Sequence, residues 1–523
     1  MTISIGKILK NLRNRALKIL SRQDALPANA RHVSLLILIF LIIYIFSWQF
    51  QIGLSDRFSG DYYKYGIHHS CGASFSDPEH FFSYGIYYWG LFPAFPDRDA
   101  LPRKFDHDSW FYSKDGAMEI LDKHGYALRM DINGTFRMGN VMNLWLPALS
   151  AVFKGTVRDV NFIPFNAAYF ILSLLVILCA FWIYGRGLMG LVLVLVLGSY
   201  QFQLYSAHMQ DNIFSYMIST MIIATGLFMP LIFDVKIKSR TLYILCVLNG
   251  AWIGIAHLMR ADCLSAFLPS VLVILIYKHV DYKQKAGMVI AFFFAYYAVS
   301  SIFQSFFDYK YNEAFGIVKE KGGNTFKGHR LKNHMFWHTI WCGMHDFDEK
   351  YKHNWSDFVA EYNAKKMLKK RYGIDVGKLT YHHKPVDYYL PSRVPEYDSA
   401  MRDLVFEDIG KDPVWYLDIL FKRLKRIFLE SIRPRIMLIT GHALHIPGGV
   451  FVYILTVSLI LFFRLWGHLK LIIFSAGSMT IPLFVTTFTN YHHYSIVHLV
   501  TASVFLHIVL KIAAHYLGQL VRK

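Results

Sequence analysis

NFIPFNAAYFILSLLVILCAFWIY (161–184) carries no charged side chain. Wound as an α-helix at ~1.5 Å per residue, a run of this length reaches across the ~30 Å hydrocarbon layer of a bilayer. Comparable apolar blocks occupy 33–50, 188–205, 212–233, 242–257, 264–278, 286–306, 447–463, 470–488 and 494–513. Together they predict an all-α polytopic membrane protein with about ten transmembrane helices. A membrane β-barrel is excluded, because its strands would alternate in short segments instead.

The rest of the chain agrees with that reading. Of 523 residues, 54% are hydrophobic, 17% aromatic and 17% charged, with a mean hydropathy of +0.31. Soluble domains carry more charge, about a quarter of their residues. The net charge of +19, from 55 Lys+Arg against 36 Asp+Glu, does not require nucleic acid. In a membrane protein, basic residues gather in cytoplasmic loops and near anionic headgroups. Five cysteines make no disulfide framework. Cys179 and Cys246 read as small core residues of apolar spans, and the spacing of Cys71, Cys263 and Cys342 dictates no pairing.

The short loops orient the chain. Residues 1–32 hold a basic amphipathic helix over 1–22, with Lys7, Lys10, Arg13, Arg15, Lys18 and Arg22 beside an apolar face suited to an anionic membrane surface. Arg186, then Lys236, Lys238 and Arg240, then Lys278, Lys283 and Lys285, then Arg464 and Lys470 all fall on the same side as both termini. The positive-inside rule makes that side the cytoplasm. A membrane domain over 33–306, of about seven spans, then contains an outward segment at 51–158. A second outward segment, rich in His and aromatic residues, covers 307–446, and about three further spans fill 447–523. In the first outward segment, His80–Phe95 and Val141–Phe153 read as interfacial or re-entrant pieces. In the second, helices are expected at 356–371 and 412–432.

Ionisable residues collect at the outward ends of the spans: His208 and Asp211, then His257, Arg260 and Asp262, then His492 and His493. Such residues suggest a polar cavity facing the outward loops, although each alone could simply snorkel to water. Asp106-His107-Asp108 places two carboxylates two residues apart. They can hold a divalent cation such as Mg or Mn, or one can act as a base while the other adjusts its pKa. Asp61 is the competing acid. His334 and His338 stand four apart, as zinc ligands on a helix can, but Met335 replaces the glutamate of a zinc-protease motif. With Trp337 between them, a sugar-binding loop or a packing loop is expected here. Asp346, Asp348 and Glu349 read as a solvated edge.

The stretch DSWFYSKDGAMEILDKHG (108–125) resembles the acidic first-loop pattern of the GT-C superfamily, integral-membrane glycosyltransferases that use polyprenyl-phosphate-linked sugars. NLWLPALSAVFKG (143–155) is similar to the segment that leads into their next span. HLMRADCLSAFLP (257–269) looks like their Arg-(Pro)-Asp/Glu element, with Ala261 in place of proline. GHRLKNHMFWHTIWCGMHDFDEKYKHNW (328–355) and KDPVWYLDILFKRLKRIF (411–428) resemble bacterial mannosyltransferase-like proteins. The family's acid usually follows the first span closely, whereas about 55 residues intervene before Asp106 here, so Asp61 stays in contention.

The resemblance implies a bacterial inner-membrane enzyme that moves a sugar from a polyprenyl phosphate to a glycan, lipid or protein acceptor. Asp108 would be the base and Asp106 its neighbour or a metal ligand. Arg260 would contact the donor phosphate, with His208, Asp211, His492, His493, His338 and Trp337 as further phosphate or sugar contacts. The competing readings are a transporter or flippase of a lipid-linked or anionic substrate, and a membrane acyltransferase using an embedded His. Clean spans without an internal repeat argue against the transporter, and no Ser or Cys nucleophile pairing stands out for the acyltransferase.

Overall fold

The computed structural model describes residues 32–45, 94–96, 128–130, 163–200, 214–259, 261–320, 336–351, 356–376, 394, 396–429, 435–437, 443–445, 450–485 and 495–520. The described chain is helical apart from two antiparallel pairs of three-residue strands. β1 (Ala94–Pro96) pairs with β2 (Leu128–Met130), and β3 (Arg435–Met437) with β4 (Ala443–His445). The amphipathic helix expected over 1–22 and the pieces at His80–Phe95 and Val141–Phe153 lie essentially outside the described residues.

The apolar helices follow the apolar blocks. In chain order they are α1 (His32–Ile45), then α2 (Ile163–Ile183), α3 (Gly187–Gly198), α4 (Phe214–Leu227), α5 (Met229–Ile232), α6 (Ser239–Met259), α7 (Phe267–Ile276) and α8 (Tyr282–Glu320). Three of the described helices are long and apolar enough to cross a membrane: α6 and α8, and near the C-terminus α16 (Ser495–Leu520). α8 also turns large apolar side chains outward at helical spacing, with Ile290, Phe294 and Tyr297 all exposed. Water tolerates few such patches, whereas lipid matches them.

About ten full-length spans are not borne out among the described residues, and most helices inside the other blocks are shorter or broken. α3 has 12 residues and rises only ~18 Å. α4 stops at Leu227 and the chain restarts as α5, where Pro230 sits in the first turn, a position that needs no backbone donor. A 3-10 turn, Ala261–Ala266, precedes α7. In the block at 470–488, α14 (Trp466–Ala476) passes into a 3-10 turn, Gly477–Met479, and then α15 (Thr480–Phe484). These last two turns lie together, and a Cβ on Gly477 would strike the Pro269 ring in the first turn of α7. The spans are therefore not clean, contrary to the reading from hydropathy.

The apolar helices share one core. Leu174, Leu178 and Phe181 of α2, Leu193 of α3, Met217 and Met221 of α4, and Leu499 and Val504 of α16 are all buried in it. α6 lies against α8 along a Gly250-x-x-x-Gly254 face; a Cβ on Gly254 would come within 2.9 Å of the Tyr296 carbonyl oxygen, and one on Gly250 would collide with that of Phe292. Small residues at this spacing let helix backbones approach closely. Buried polar groups are paired across helices, as in Asn249 Nδ2 to Ser270 Oγ at 3.1 Å and Tyr200 Oη to Ser495 Oγ at 2.9 Å. His468 Nε2 and His507 Nδ1 lie 3.2 Å apart. Cys246 and Cys263 are buried thiols outside any disulfide and Cys179 is half-buried, as small packing residues would be.

One end of this bundle gathers the short basic loops. Arg186 sits 4.3 Å over the Phe233 ring, His279 Nε2 is 2.8 Å from the Asp234 carbonyl oxygen, and Lys470 forms a 2.7 Å ion pair with Asp234. Asp234 takes the left-handed conformation, φ 51°, which aspartate tolerates better than most residues.

Between α8 and the last apolar helices stands a second core, built by α9 (Phe336–Met344), α10 (Asp357–Tyr372), α11 (Tyr397–Lys411) and α12 (Pro413–Leu429). The expected helices at 356–371 and 412–432 correspond to α10 and α12. α10 ends at Gly373, φ 68°, the left-handed position glycine occupies freely. α12 begins with Asp412 accepting from the Trp415 N–H at 3.0 Å, with proline next in line as the first helical residue. α12 buries Trp415, Ile419, Arg423 and Ile427, one per turn. The next helix is α13 (Val450–Phe462).

Candidate functional site

Among the described residues, the densest set of chemically capable side chains lies where the first turns of α10 and α11 meet α9. His338 and Cys342 are four residues apart on α9, hence on one face. Both are buried, at 8% and 0% exposure. His338 Nδ1 lies 2.6 Å from the buried Tyr397 hydroxyl, and Nε2 lies 2.9 Å from Asp357 Oδ1 and 3.6 Å from Cys342 Sγ. The Trp337 N–H, an unmatched donor at the start of α9, is taken by Asp398 Oδ1 at 3.1 Å. Asp357 and Asp398 sit in the first turns of their own helices, where the helix dipole favours negative charge.

The electrostatics narrow what this set can do. Burial, reinforced by the charge of Asp357, pushes the Cys342 thiol up to about 12. Burial likewise raises the Tyr397 phenol and, against the hydrogen bond from Trp337, the Asp398 carboxyl. A protonated thiol is a poor nucleophile. The geometry agrees, since a thiol–imidazole–carboxylate relay needs the acid and the thiol on opposite ring nitrogens, and here both face Nε2. Donor atoms of His338, Cys342 and Asp357 lie within 4.8 Å of one another, so these three residues can hold a metal.

A second polar group lies on the bundle side of α9. His345 Nδ1 is 3.1 Å from Asp348 Oδ2, and Asp348 Oδ1 accepts from Trp415 Nε1 at 3.3 Å. Arg423 is fully buried. It donates to the Leu483 carbonyl at 3.0 Å and to the Gly343 carbonyl, and stands 3.9 Å from Asp346. Asp346 and Asp348 are thus buried and held, and only Glu349 keeps its side chain largely in solvent. The solvated edge expected there is corrected, because Arg423, His345 and Trp415 come from elements that local sequence does not reveal.

Of the residues singled out from sequence, His338 and Trp337 lie in this region. Both ring nitrogens of His338 are engaged within the helical module. Trp337 is half-buried, its ring 5.3 Å from those of Phe336 and Phe406, which are both exposed. Asp61, Asp106, Asp108, His208, Asp211, Arg260, His492 and His493 lie outside the described residues, as do Cys71 and His334. His257 is half-buried, with Nδ1 2.8 Å from the Tyr296 hydroxyl. Sequence reasoning missed Cys342, Asp357, Tyr397 and Arg423. Only the His338–Cys342 spacing could have signalled part of the set. No family model matches the chain, and neither a curated protein nor a solved structure matches it.

Proposed function

We propose that this chain is a polytopic inner-membrane glycosyltransferase of GT-C type, with about ten membrane crossings, both termini cytoplasmic and its chemistry on the outer side. The observation that carries the reading is a helical module fastened to the end of the apolar bundle remote from the basic loops. Lys470 belongs to the basic end, and the same apolar segment reaches Leu483, whose carbonyl Arg423 holds. His498 Nε2, near the start of α16, lies 2.9 Å from the Ile427 carbonyl oxygen of α12. Val414, Leu417, Phe421 and Leu424 are exposed along α12, beside Lys422, Lys425 and Arg426. A helix of that composition at the level of the span ends suits the outer headgroup layer. A donor delivered within the lipid would arrive beneath the module, and the exposed Phe336 and Phe406 beside Trp337 offer aromatic faces to a sugar ring.

In this reading Asp108 takes the proton of the acceptor hydroxyl as that oxygen attacks the anomeric carbon, and polyprenyl phosphate departs with inversion. Arg260, with His208, His492 and His493, would stabilise the phosphate charge, and Asp211 would position the donor. Asp106 would adjust Asp108 or hold Mg or Mn. In membranes supplied with a polyprenyl-phosphate sugar, Asp108→Asn is expected to lower labelling of the acceptor roughly 10²–10⁴-fold with expression intact. Loss with Asp61→Asn instead would move the base there, and full activity of both variants would overturn the reading.

One observation favours a second reading, a flippase or transporter. The 3-10 turns Ala261–Ala266 and Gly477–Met479 lie together, and transporters place substrates at such discontinuities. Scrambling of a lipid-linked sugar by purified protein, without transfer to an acceptor, would select it.

A further inference from the structure

We propose that His338, Cys342 and Asp357 form a zinc site that joins α9 to the start of α10, with a fourth position open toward solvent. The inference is independent of glycosyl transfer and rests on how the donor atoms converge. A ring nitrogen offers either one proton or one lone pair, yet His338 Nε2 faces both the Asp357 carboxylate at 2.9 Å and the Cys342 sulfur at 3.6 Å. Hydrogen bonding places that nitrogen's proton on Asp357 and leaves the sulfur only a long contact, 3.9 Å to the Ser356 carbonyl. A cation at the common point satisfies all three. A tetrahedral zinc with bonds of ~2.0–2.3 Å holds its ligand atoms roughly 3.3–3.8 Å apart, so the observed spacings need to change by only tenths of an ångström around the nitrogen.

The surroundings fit the same ion. With Nε2 on the metal, Nδ1–H donates to the Tyr397 hydroxyl oxygen 2.6 Å away, the outer contact that fixes tautomer and ring plane in zinc sites. On binding, Cys342 gives up its thiol proton to solvent. A thiolate and a carboxylate then balance the two positive charges, leaving a neutral centre in a buried place where net charge is costly. Sulfur and imidazole together select zinc over Mg or Ca, which prefer oxygen. The Asp357 side chain is 65% exposed, so the metal has an entry path and one face for water or a substrate group.

The test uses tag-free, full-length protein purified in detergent, stripped with chelator and reloaded with Zn or Co. One zinc per chain is expected, and the Co form should show thiolate-to-metal charge-transfer absorption. Cys342→Ser should abolish that band, while Cys246→Ser, in the apolar core, keeps it. Asp357→Asn, an isosteric change at a side chain that is mostly exposed, should weaken zinc binding at least about tenfold. Absence of the band in the wild type, or zinc binding unchanged in Asp357→Asn, would overturn the site even if Cys342→Ser failed to fold.

Discussion

Arg423 ties three separate pieces of chain together. Its guanidinium satisfies the carbonyls of Gly343 and Leu483 and lies beside Asp346, with nothing of the side chain exposed. Burial pulls its pKa down while Asp346 pushes it up, yet an arginine stays charged through either effect. Removing it strands two buried carbonyls and a carboxylate. Arg423→Met should therefore cost about 3 kcal/mol of stability, read as a lower Tm of the purified protein. Arg402→Met removes a cation whose pairing with Asp403 is half exposed, and it should cost less than about 1 kcal/mol. Equal effects would mean that the buried contacts carry no special weight. At this scale the sequence was only partly legible. His338 is conspicuous among Trp337, Trp341 and Phe336, but its partners stand 19 and 59 residues away. The i+4 neighbour that matters is Cys342, ahead of it, whereas His334 lies behind it outside the described residues.

The helices divide by how they pack. α6 and α8 meet through glycine, and Gly250→Ala must push the backbones apart at the Phe292 carbonyl. The expected outcome is a marked loss of folded protein, measured by yield and Tm in detergent. Gly410, inside α11, has nothing within 4 Å of an added Cβ, so Gly410→Ala should be neutral or stabilise by up to about 1 kcal/mol. A tolerated Gly250→Ala would show the α6–α8 contact to be looser than described. Sequence pattern located α10 and α12 well, because a polar helix announces itself by its caps and charges. It did not locate the breaks at Phe228 and Gly477–Met479, whereas the turn at Ala261–Ala266 falls largely between two expected spans. Both breaks lie in largely apolar stretches, and hydropathy reports burial without reporting where the backbone bends.

For the whole molecule, the proposed orientation, with the basic loops inside and the helical module outside, is open to a topology experiment. In intact cells, Lys366→Cys on the exposed face of α10 should react with a membrane-impermeant thiol reagent, while Lys238→Cys should react only after permeabilisation. The reverse pattern would place the module inside. The clasp made by Arg423 also bears on how the protein is made. A ribosome delivers α9 to α12 well before it delivers Leu483, His498 and Val485, whose backbone lies against Gly343, so the module emerges with one wall missing. Its guanidinium gains the Leu483 carbonyl only when the last apolar hairpin arrives. A chain halted before that point would leave Arg423 without the Leu483 carbonyl and Gly343 without the Val485 backbone that closes over it.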